Sequence, residues 1–151
     1  YLLRVDFDGF KQIADTLVYL ETAPLRWGAN YAGVLLFFVP RALWPAKPTD
    51  SGELVSASLG YPYTNVSSPL PAEALLAFGI PGVLLTFLAL GAMTARIEGN
   101  AQARHTLHHL VLYSITMGFI TIILRGALNG VAPQFATAFL AYAAITWRAR
   151  A

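Results

Sequence analysis

The chain has 151 residues, of which 56% are hydrophobic and only 12% are charged, whereas soluble domains carry about 25% charged residues. Ten basic and eight acidic residues give a net charge of +2 without a basic run, which argues against nucleic acid as a partner. The absence of cysteine excludes thiolate metal sites, cysteine nucleophiles and disulfides. The composition therefore points to a membrane protein.

The first predicted element is an amphipathic helix that follows Asp8, a suitable N-cap, and ends before Pro24. Its apolar residues recur at helical spacing: Phe10, Ile13, Ala14, Leu17 and Leu20. The opposite face is polar: Lys11, Gln12, Asp15 and Tyr19. This pattern predicts a helix with one apolar and one polar side.

The apolar stretch from Tyr31 to Val39 has nine residues, which is about 14 Å of helix and too short to cross a bilayer. It fits a re-entrant piece, an interfacial piece, or a helix buried against other spans.

A loop rich in Pro, Gly, Ser and Tyr is predicted from Pro40 to Pro71, long enough to suggest a function. Arg41 and Lys47 lie among its prolines. A guanidinium fork and an ammonium on a stiff loop could clamp a phosphate or carboxylate. The alternative is that both anchor the chain at lipid headgroups, with Trp44 in the aromatic belt.

The same loop offers other candidates for substrate binding. Trp44, Tyr61 and Tyr63 could be flat platforms for sugar rings, although aromatic residues are also expected at a membrane interface. Asp50 and Glu53 are carboxylates in the more solvated part of the loop, where the turn signal Asp50-Ser51-Gly52 lies.

Three transmembrane helices are predicted at 73–95, 106–124 and 126–147, because long uncharged runs fill these ranges. Glu73 opens the first of them. It could be a general base at the membrane surface, where partial burial shifts its titration toward the working range, or it could simply favour the helix N-terminus. Arg125, between the last two spans, is either a second cation for the same outer cavity or a span boundary.

Lys and Arg near span ends favour the cytoplasmic side, which assigns the 96–105 loop and the C-terminus to the inside. The region 1–72 and Arg125 are then outside. His105, His108 and His109 share a helix face that could bind zinc, but no carboxylate pattern accompanies them. We expect no metal site and no cofactor.

These residues resemble the bacterial O-antigen polymerase family, the integral membrane polymerases of oligosaccharide repeat units. The resemblance rests on FFVPRALWPAKP, then NVSSPLPAEALLAFGIPGVLL with Glu73 before Phe78-Gly79, and ILRG before the last span. Arg4-Val5-Asp6 resembles the opening of the family's loop helix, and Arg41 is followed by ten residues and Gly52. The match covers roughly residues 4–130.

The resemblance implies an all-α, GT-C-like polytopic membrane glycosyltransferase. Its catalytic loop faces the periplasm from the bacterial inner membrane. The substrate would be a polyprenyl-pyrophosphate-linked oligosaccharide, with a chain-length regulator as a possible partner. Arg41 and Arg125 would stabilise the leaving pyrophosphate with help from Lys47, and Glu73, or else Asp50, would be the base. Since the chain begins at Tyr1 and family members have more spans, we expect a C-terminal piece whose N-terminal spans lie elsewhere.

Two other functions stay open. An O-antigen ligase would move a finished glycan to a lipid acceptor, but that family uses a histidine in an outward loop, and the histidines here are predicted inside. A non-enzymatic transport subunit would tend to show paired interrupted helices, and Gly79-Ile80-Pro81-Gly82 is a single interruption.

Overall fold

The computed structural model describes residues 8–63, 66–104 and 106–148, and that part of the chain is all-helical, as predicted. Its six helices are α1 (Asp8–Thr22), α2 (Ala29–Leu35), α3 (Ser51–Ser58), α4 (Leu70–Arg104), α5 (Leu107–Arg125) and α6 (Leu128–Arg148). The predicted Arg4-Val5-Asp6 opening and His105 lie outside the described residues.

Three helices are long and apolar enough to cross a membrane: Leu70–Ala103, Leu107–Arg125 and Leu128–Trp147. The three predicted spans are therefore confirmed as helices of suitable length and composition. The prediction of a loop over residues 96–105 is wrong, because α4 continues to Arg104. At 1.5 Å per residue its 34-residue span is about 51 Å long, well above the roughly 30 Å of a hydrocarbon core.

Consecutive long helices pack against each other, α4 on α5 and α5 on α6. The shorter helices gather around α4: α1 contacts α4 and α3, and α2 lies against α4 and α6. The main group of buried apolar side chains comes from the first two turns of α4, with one from α3. Its members are Val55, Leu70, Ala72, Ala74, Leu75, Leu76 and Ala77.

Helix α1 forms as predicted, but its polar side points inward. Gln12 and Thr16 are fully buried, whereas Phe10 is 72% exposed and Leu17 51% exposed. The inward face meets the start of α4, since Gly9 lies against Pro69. The apolar face is thus left for lipid or for another apolar surface.

A kink divides α4 at Phe78 and Gly79, whose backbone angles are not helical. The predicted interruption at Gly79-Ile80-Pro81-Gly82 therefore lies where the helix bends. The amide of Arg26 donates a 2.9 Å hydrogen bond to the carbonyl of Leu76, just before the bend. The ring of Phe78 contacts Trp27 and Tyr31, so the kink anchors the start of α2.

Helix α3 lies within the stretch that the sequence predicted as a loop. Asp50 is its N-cap and accepts a 2.9 Å hydrogen bond from the amide of Gly52. The predicted turn at Asp50-Ser51-Gly52 is therefore the start of a helix. The signal that could have revealed it is the spacing from Asp50 to Glu53, which is typical of a helix N-terminus.

Candidate functional site

The proline-rich loop that follows α2 is built from consecutive turns. Pro40 accepts hydrogen bonds from the amides of Leu43 and Trp44, at 3.0 and 3.1 Å. Trp44 in turn accepts one from the amide of Lys47 at 3.0 Å. Prolines fix φ on either side of these turns, so residues 36–48, which we name the cation loop, have a defined shape.

Lys47 stabilises this loop from within. Its ammonium donates to the carbonyl of Phe37 at 2.7 Å and to that of Val39 at 2.9 Å. Two of its three N–H donors are therefore used on the loop's own backbone. The structure thus gives Lys47 a scaffold role, where the sequence predicted contact with substrate.

Arg41 is the exposed cation of the loop. One guanidinium N–H donates to the carbonyl of Lys47 at 2.9 Å, which ties the side chain to the stiffened backbone. Its other N–H groups form no hydrogen bond within the described residues. Arg41 therefore presents a positioned fork that could bind an anion.

Glu73 is at the centre of a buried polar cluster at the first turn of α4. The side chain is only 1% exposed, whereas the sequence predicted partial burial at the membrane surface. Its Oε2 accepts hydrogen bonds from Asn30 Nδ2 and from Ser51 Oγ, both at 2.7 Å. Asn30 Nδ2 also donates to the Glu73 carbonyl at 3.0 Å. The cluster joins α2, α3 and α4, and so holds both ends of the segment that contains the cation loop.

Asp50 is more accessible than Glu73. Its side chain is half-buried, and its Oδ1 caps α3 through the amide of Gly52. The carboxylate lies one residue from Ser51, which bonds Glu73. Of the two bases predicted, Asp50 is the one that a solvated substrate could reach.

A second polar cluster links α1 to the segment after α3. The Tyr61 hydroxyl donates to Asp15 Oδ1 at 2.9 Å, and Lys11 Nζ lies 2.7 Å from Asp15 Oδ2 and 2.6 Å from the Tyr61 hydroxyl. Burial lowers the pKa of Lys11, but the hydrogen bonds to Asp15 and Tyr61 outweigh it and hold that pKa above its usual value. Tyr63 is exposed and stacks on Tyr61 at 5.6 Å between ring centroids. These two rings form an aromatic surface, and its contact with sugars stays a prediction.

Arg125 is the last residue of α5 and is exposed. His108 and His109 are at the opposite end of the same helix, where their rings stack at 4.6 Å between centroids. Within the described residues, no hydrogen bond or ion pair joins Arg125, Arg41 and Glu73 to one another. Their convergence, which the predicted mechanism needs, stays a prediction.

An apolar groove of about 520 Å³ lies between α2, α4, α5 and α6. Val34 and Leu35 line it directly before the cation loop and Phe37 lines it from within the loop, and Met93, Phe119 and Phe135 are among the other lining residues. Its size is within the range of small-molecule sites. Thr116 is the one polar side chain among the described residues that line it.

No group of three or more His, Asp or Glu side chains suited to a metal ion occurs among residues 8–63, 66–104 and 106–148. No protein family, curated protein or solved structure matches the chain.

The functional residues that the sequence did not reveal are polar partners from separate helices. Asn30 and Ser51 bond Glu73, while Lys11 and Asp15 bond Tyr61. The spacing from Lys11 to Asp15 is a helical ion-pair signal. The pairing of Asn30 with Glu73, 43 residues apart, has no local signal.

Proposed function

We propose that this protein is a membrane glycosyltransferase that polymerises oligosaccharide repeat units carried on polyprenyl pyrophosphate. The observation that carries the proposal is the succession of the apolar groove and the cation loop along one segment. Val34, Leu35 and Phe37 line the groove, and exposed Arg41 follows four residues after Phe37. A lipid-linked pyrophosphate has the matching chemistry, an apolar tail joined to a dianionic or more highly charged head.

In this reaction the bond between sugar C1 and the pyrophosphate oxygen breaks, and a new bond forms between C1 and a hydroxyl oxygen of the acceptor sugar. Negative charge grows on the leaving pyrophosphate. A fixed cation lowers the barrier because it binds that charge more strongly in the transition state than in the ground state. Arg41 has this role in our proposal, with Arg125 as the second cation.

The acceptor hydroxyl loses its proton as the new bond forms. A base for that proton must be within hydrogen-bonding reach of the hydroxyl. Half-buried Asp50 meets the requirement of access better than enclosed Glu73, so we assign the proton to Asp50 and a scaffold role to Glu73. Tyr61 and Tyr63 supply the aromatic surface for the sugar rings.

The proposal includes a location and an orientation. The enzyme belongs to the bacterial inner membrane, with a GT-C-like arrangement and the cation loop on the periplasmic side. Helix α2 and the loop form a re-entrant hairpin. Two contacts support the hairpin: the Tyr31 hydroxyl lies 3.2 Å from Thr86 Oγ1, and Gly33 lies against Pro48 on the returning chain. A chain-length regulator is the partner proposed for this surface.

The test is replacement of Arg41 by Ala in the host cell, with the surface polysaccharide resolved as a ladder on a gel. We expect the ladder to collapse to single repeat units, because the leaving pyrophosphate loses its cation. Arg96→Ala is the matched control: Arg96 is an exposed arginine near the other end of α4, and its loss should leave the ladder intact. A membrane-fraction blot must show equal amounts of both variants.

Two results would contradict the proposal. An unchanged ladder in Arg41→Ala would return Arg41 to the role of a headgroup anchor. A full-length glycan that no longer reaches its final acceptor would favour an O-antigen ligase instead. Arg41→Lys adds a finer measurement: it keeps the charge and loses the fork, so a partial ladder would indicate bidentate contact with phosphate.

A further inference from the structure

Among the described residues, the buried carboxyl group of Glu73 has no basic partner. The ion pair found among the described residues joins Lys11 to Asp15, on another helix. An unpaired carboxylate in such a position is costly, because burial removes its hydration without replacing it by an opposite charge. The donors Asn30 and Ser51 are neutral and stabilise the charge only in part, which favours neutralisation by a further group.

The hydrogen bonds of the cluster are also incomplete. Oε2 of Glu73 accepts from two donors, but Oε1 of Glu73 and Oδ1 of Asn30 have no hydrogen-bond partner within the part of the chain that the structure describes. The two residues are 1% and 2% exposed, so bulk water does not reach these oxygens. Ser68 is also buried and neighbours the carboxyl group. The unused positions are oxygen acceptors, which are suited to a cation.

We propose that a small monovalent cation, a proton or Na⁺, is held between Glu73 Oε1 and Asn30 Oδ1. A proton on Oε1 would donate to Oδ1 and give both oxygens a partner in one bond. Na⁺ would take both oxygens as ligands, with Ser68 Oγ as a third. A divalent ion fits less well, because hard divalent cations usually bind several carboxylates and Glu73 supplies one.

The cation would control how firmly the cation loop is held. Glu73 joins Asn30 of α2 to Ser51 of α3, and the loop lies between those two helices. Without the cation, the buried negative charge would weaken both attachments. This inference does not depend on glycosyl transfer, since it rests on burial and unpaired oxygens alone.

Any test must distinguish the contribution of Glu73 to the pH dependence of stability from the contributions of other titratable groups nearby. Asp50 at the start of α3 and Tyr31 of α2 both interact with it electrostatically. On α1, Lys11 and Asp15 are bonded to each other and to Tyr61. A variant that removes only the Glu73 charge makes that separation.

The experiment is thermal unfolding of the purified protein in detergent, from pH 5 to pH 9, in NaCl and in choline chloride of equal ionic strength. A bound proton that is released on unfolding makes the folded state less stable as pH rises. A bound Na⁺ raises the melting temperature as its concentration rises. We expect one of these two responses in the natural protein, with a change of several degrees.

Glu73→Gln removes the charge and keeps the shape, so it should show neither response beyond what the remaining groups contribute. Glu53→Gln, the same change at an exposed position of α3, should behave like the natural protein. Asn30→Ala keeps Glu73 but removes Oδ1 and also the Nδ2 donor to Oε2, so it should weaken a Na⁺ response and should strengthen or preserve a proton response. It serves as the second variant if Glu73→Gln does not fold.

If the melting temperature depends on pH only in proteins that keep Glu73, the bound cation is a proton. If it depends on Na⁺ only in those proteins, the bound cation is Na⁺. The inference is overturned if the natural protein responds to neither, or if Glu73→Gln responds as strongly as the natural protein does. The failure of Arg41→Ala to alter the glycan ladder would leave this result unaffected, so the two proposals can fail separately.

Discussion

At the scale of single residues, Gly52 shows how closely the backbone segments approach each other beside the buried cluster. A Cβ atom at this position would clash with the carbonyl oxygen of Val66. The obstacle is backbone, which cannot rotate away as a side chain can. Close packing therefore explains why residue 52 is glycine. This explanation is independent of the ten-residue spacing between Arg41 and Gly52.

We expect Gly52→Ala to lower the free energy of unfolding by about 1–3 kcal/mol, the usual cost of overpacking. The change should appear as a lower melting temperature in detergent. Gly118→Ala is the control, since a Cβ at Gly118 meets nothing within 4 Å and alanine favours a helix interior by up to about 1 kcal/mol. Equal stability of both variants would show that the approach to Val66 is looser than described.

The two basic residues of the cation loop show what a sequence can and cannot indicate about a residue. Lys47 and Arg41 have the same charge and similar proline neighbours, so their pattern predicts a shared role. Their roles separate only through distances: Lys47 is bonded to two carbonyls of its own loop, and Arg41 is exposed. Residue type predicts possible chemistry, but hydrogen-bond partners depend on the tertiary fold.

At the scale of elements, the bend in α4 depends on two glycines. Gly79 has φ 67° and ψ −156°, a conformation that is essentially reserved for glycine. A Cβ at Gly82 would lie 2.6 Å from the carbonyl oxygen of Ala74 and 2.7 Å from Phe78 Cβ. The bend brings these parts of the helix together, and both positions exclude a larger residue.

We expect Gly79→Ala either to straighten α4 or to cost about 1–3 kcal/mol of stability. Since the chain has no cysteine, Glu53→Cys with Glu98→Cys gives two specific sites for spin labels, one on each side of the bend. The distance between the labels should change in Gly79→Ala but not in Gly91→Ala, where a Cβ meets nothing within 4 Å. An unchanged distance together with unchanged stability would contradict this view of the kink.

Long helices could be predicted from the sequence and short ones only in part. The three spans follow from uncharged runs, because length and hydropathy alone decide whether a helix can cross a bilayer. Helix α3 has eight residues and a weak apolar pattern, so its start resembled a turn. The sequence also predicts too early an end for α4. Arg96 and Glu98 are charged residues that mark a possible edge of the hydrocarbon core, but a helix can continue beyond that edge, as α4 does to Arg104.

At the scale of the whole molecule, buried polar side chains lie beside the apolar core around the start of α4, while several large apolar side chains of the neighbouring segments are exposed. Gln12, Asn30 and Glu73 are buried, while Phe10, Leu17 and Trp27 are exposed. Amphipathic spacing predicts two faces on α1 but not which of them points inward, because that choice depends on the surroundings. An inward polar face and an outward apolar face are the arrangement expected of a helix whose outer surface meets lipid.

If the proposed function is correct, the apolar groove binds the lipid tail of the substrate. Ala136 of α6 lines the groove, and Ala136→Phe would fill part of its 520 Å³ while leaving Arg41 and the other residues of the cation loop unaltered in sequence. Each buried CH₂ of a lipid tail contributes about 0.8 kcal/mol, so the loss of even two such contacts weakens binding by about tenfold. We therefore expect Ala136→Phe to bind farnesyl pyrophosphate at least about tenfold more weakly than the natural protein, and inorganic pyrophosphate equally well.

Ala143→Phe provides the comparison, because Ala143 is exposed on the same helix and is not among the residues that line the groove. Arg41→Ala should show the complementary pattern, since the loss of the cation weakens both ligands through their shared pyrophosphate. If Ala136→Phe binds both ligands as the natural protein does, the lipid tail lies elsewhere. If it weakens both to the same extent, the substitution has disturbed the loop and not the groove. Only selective loss of the tailed ligand joins groove and loop into one site for a lipid-linked pyrophosphate.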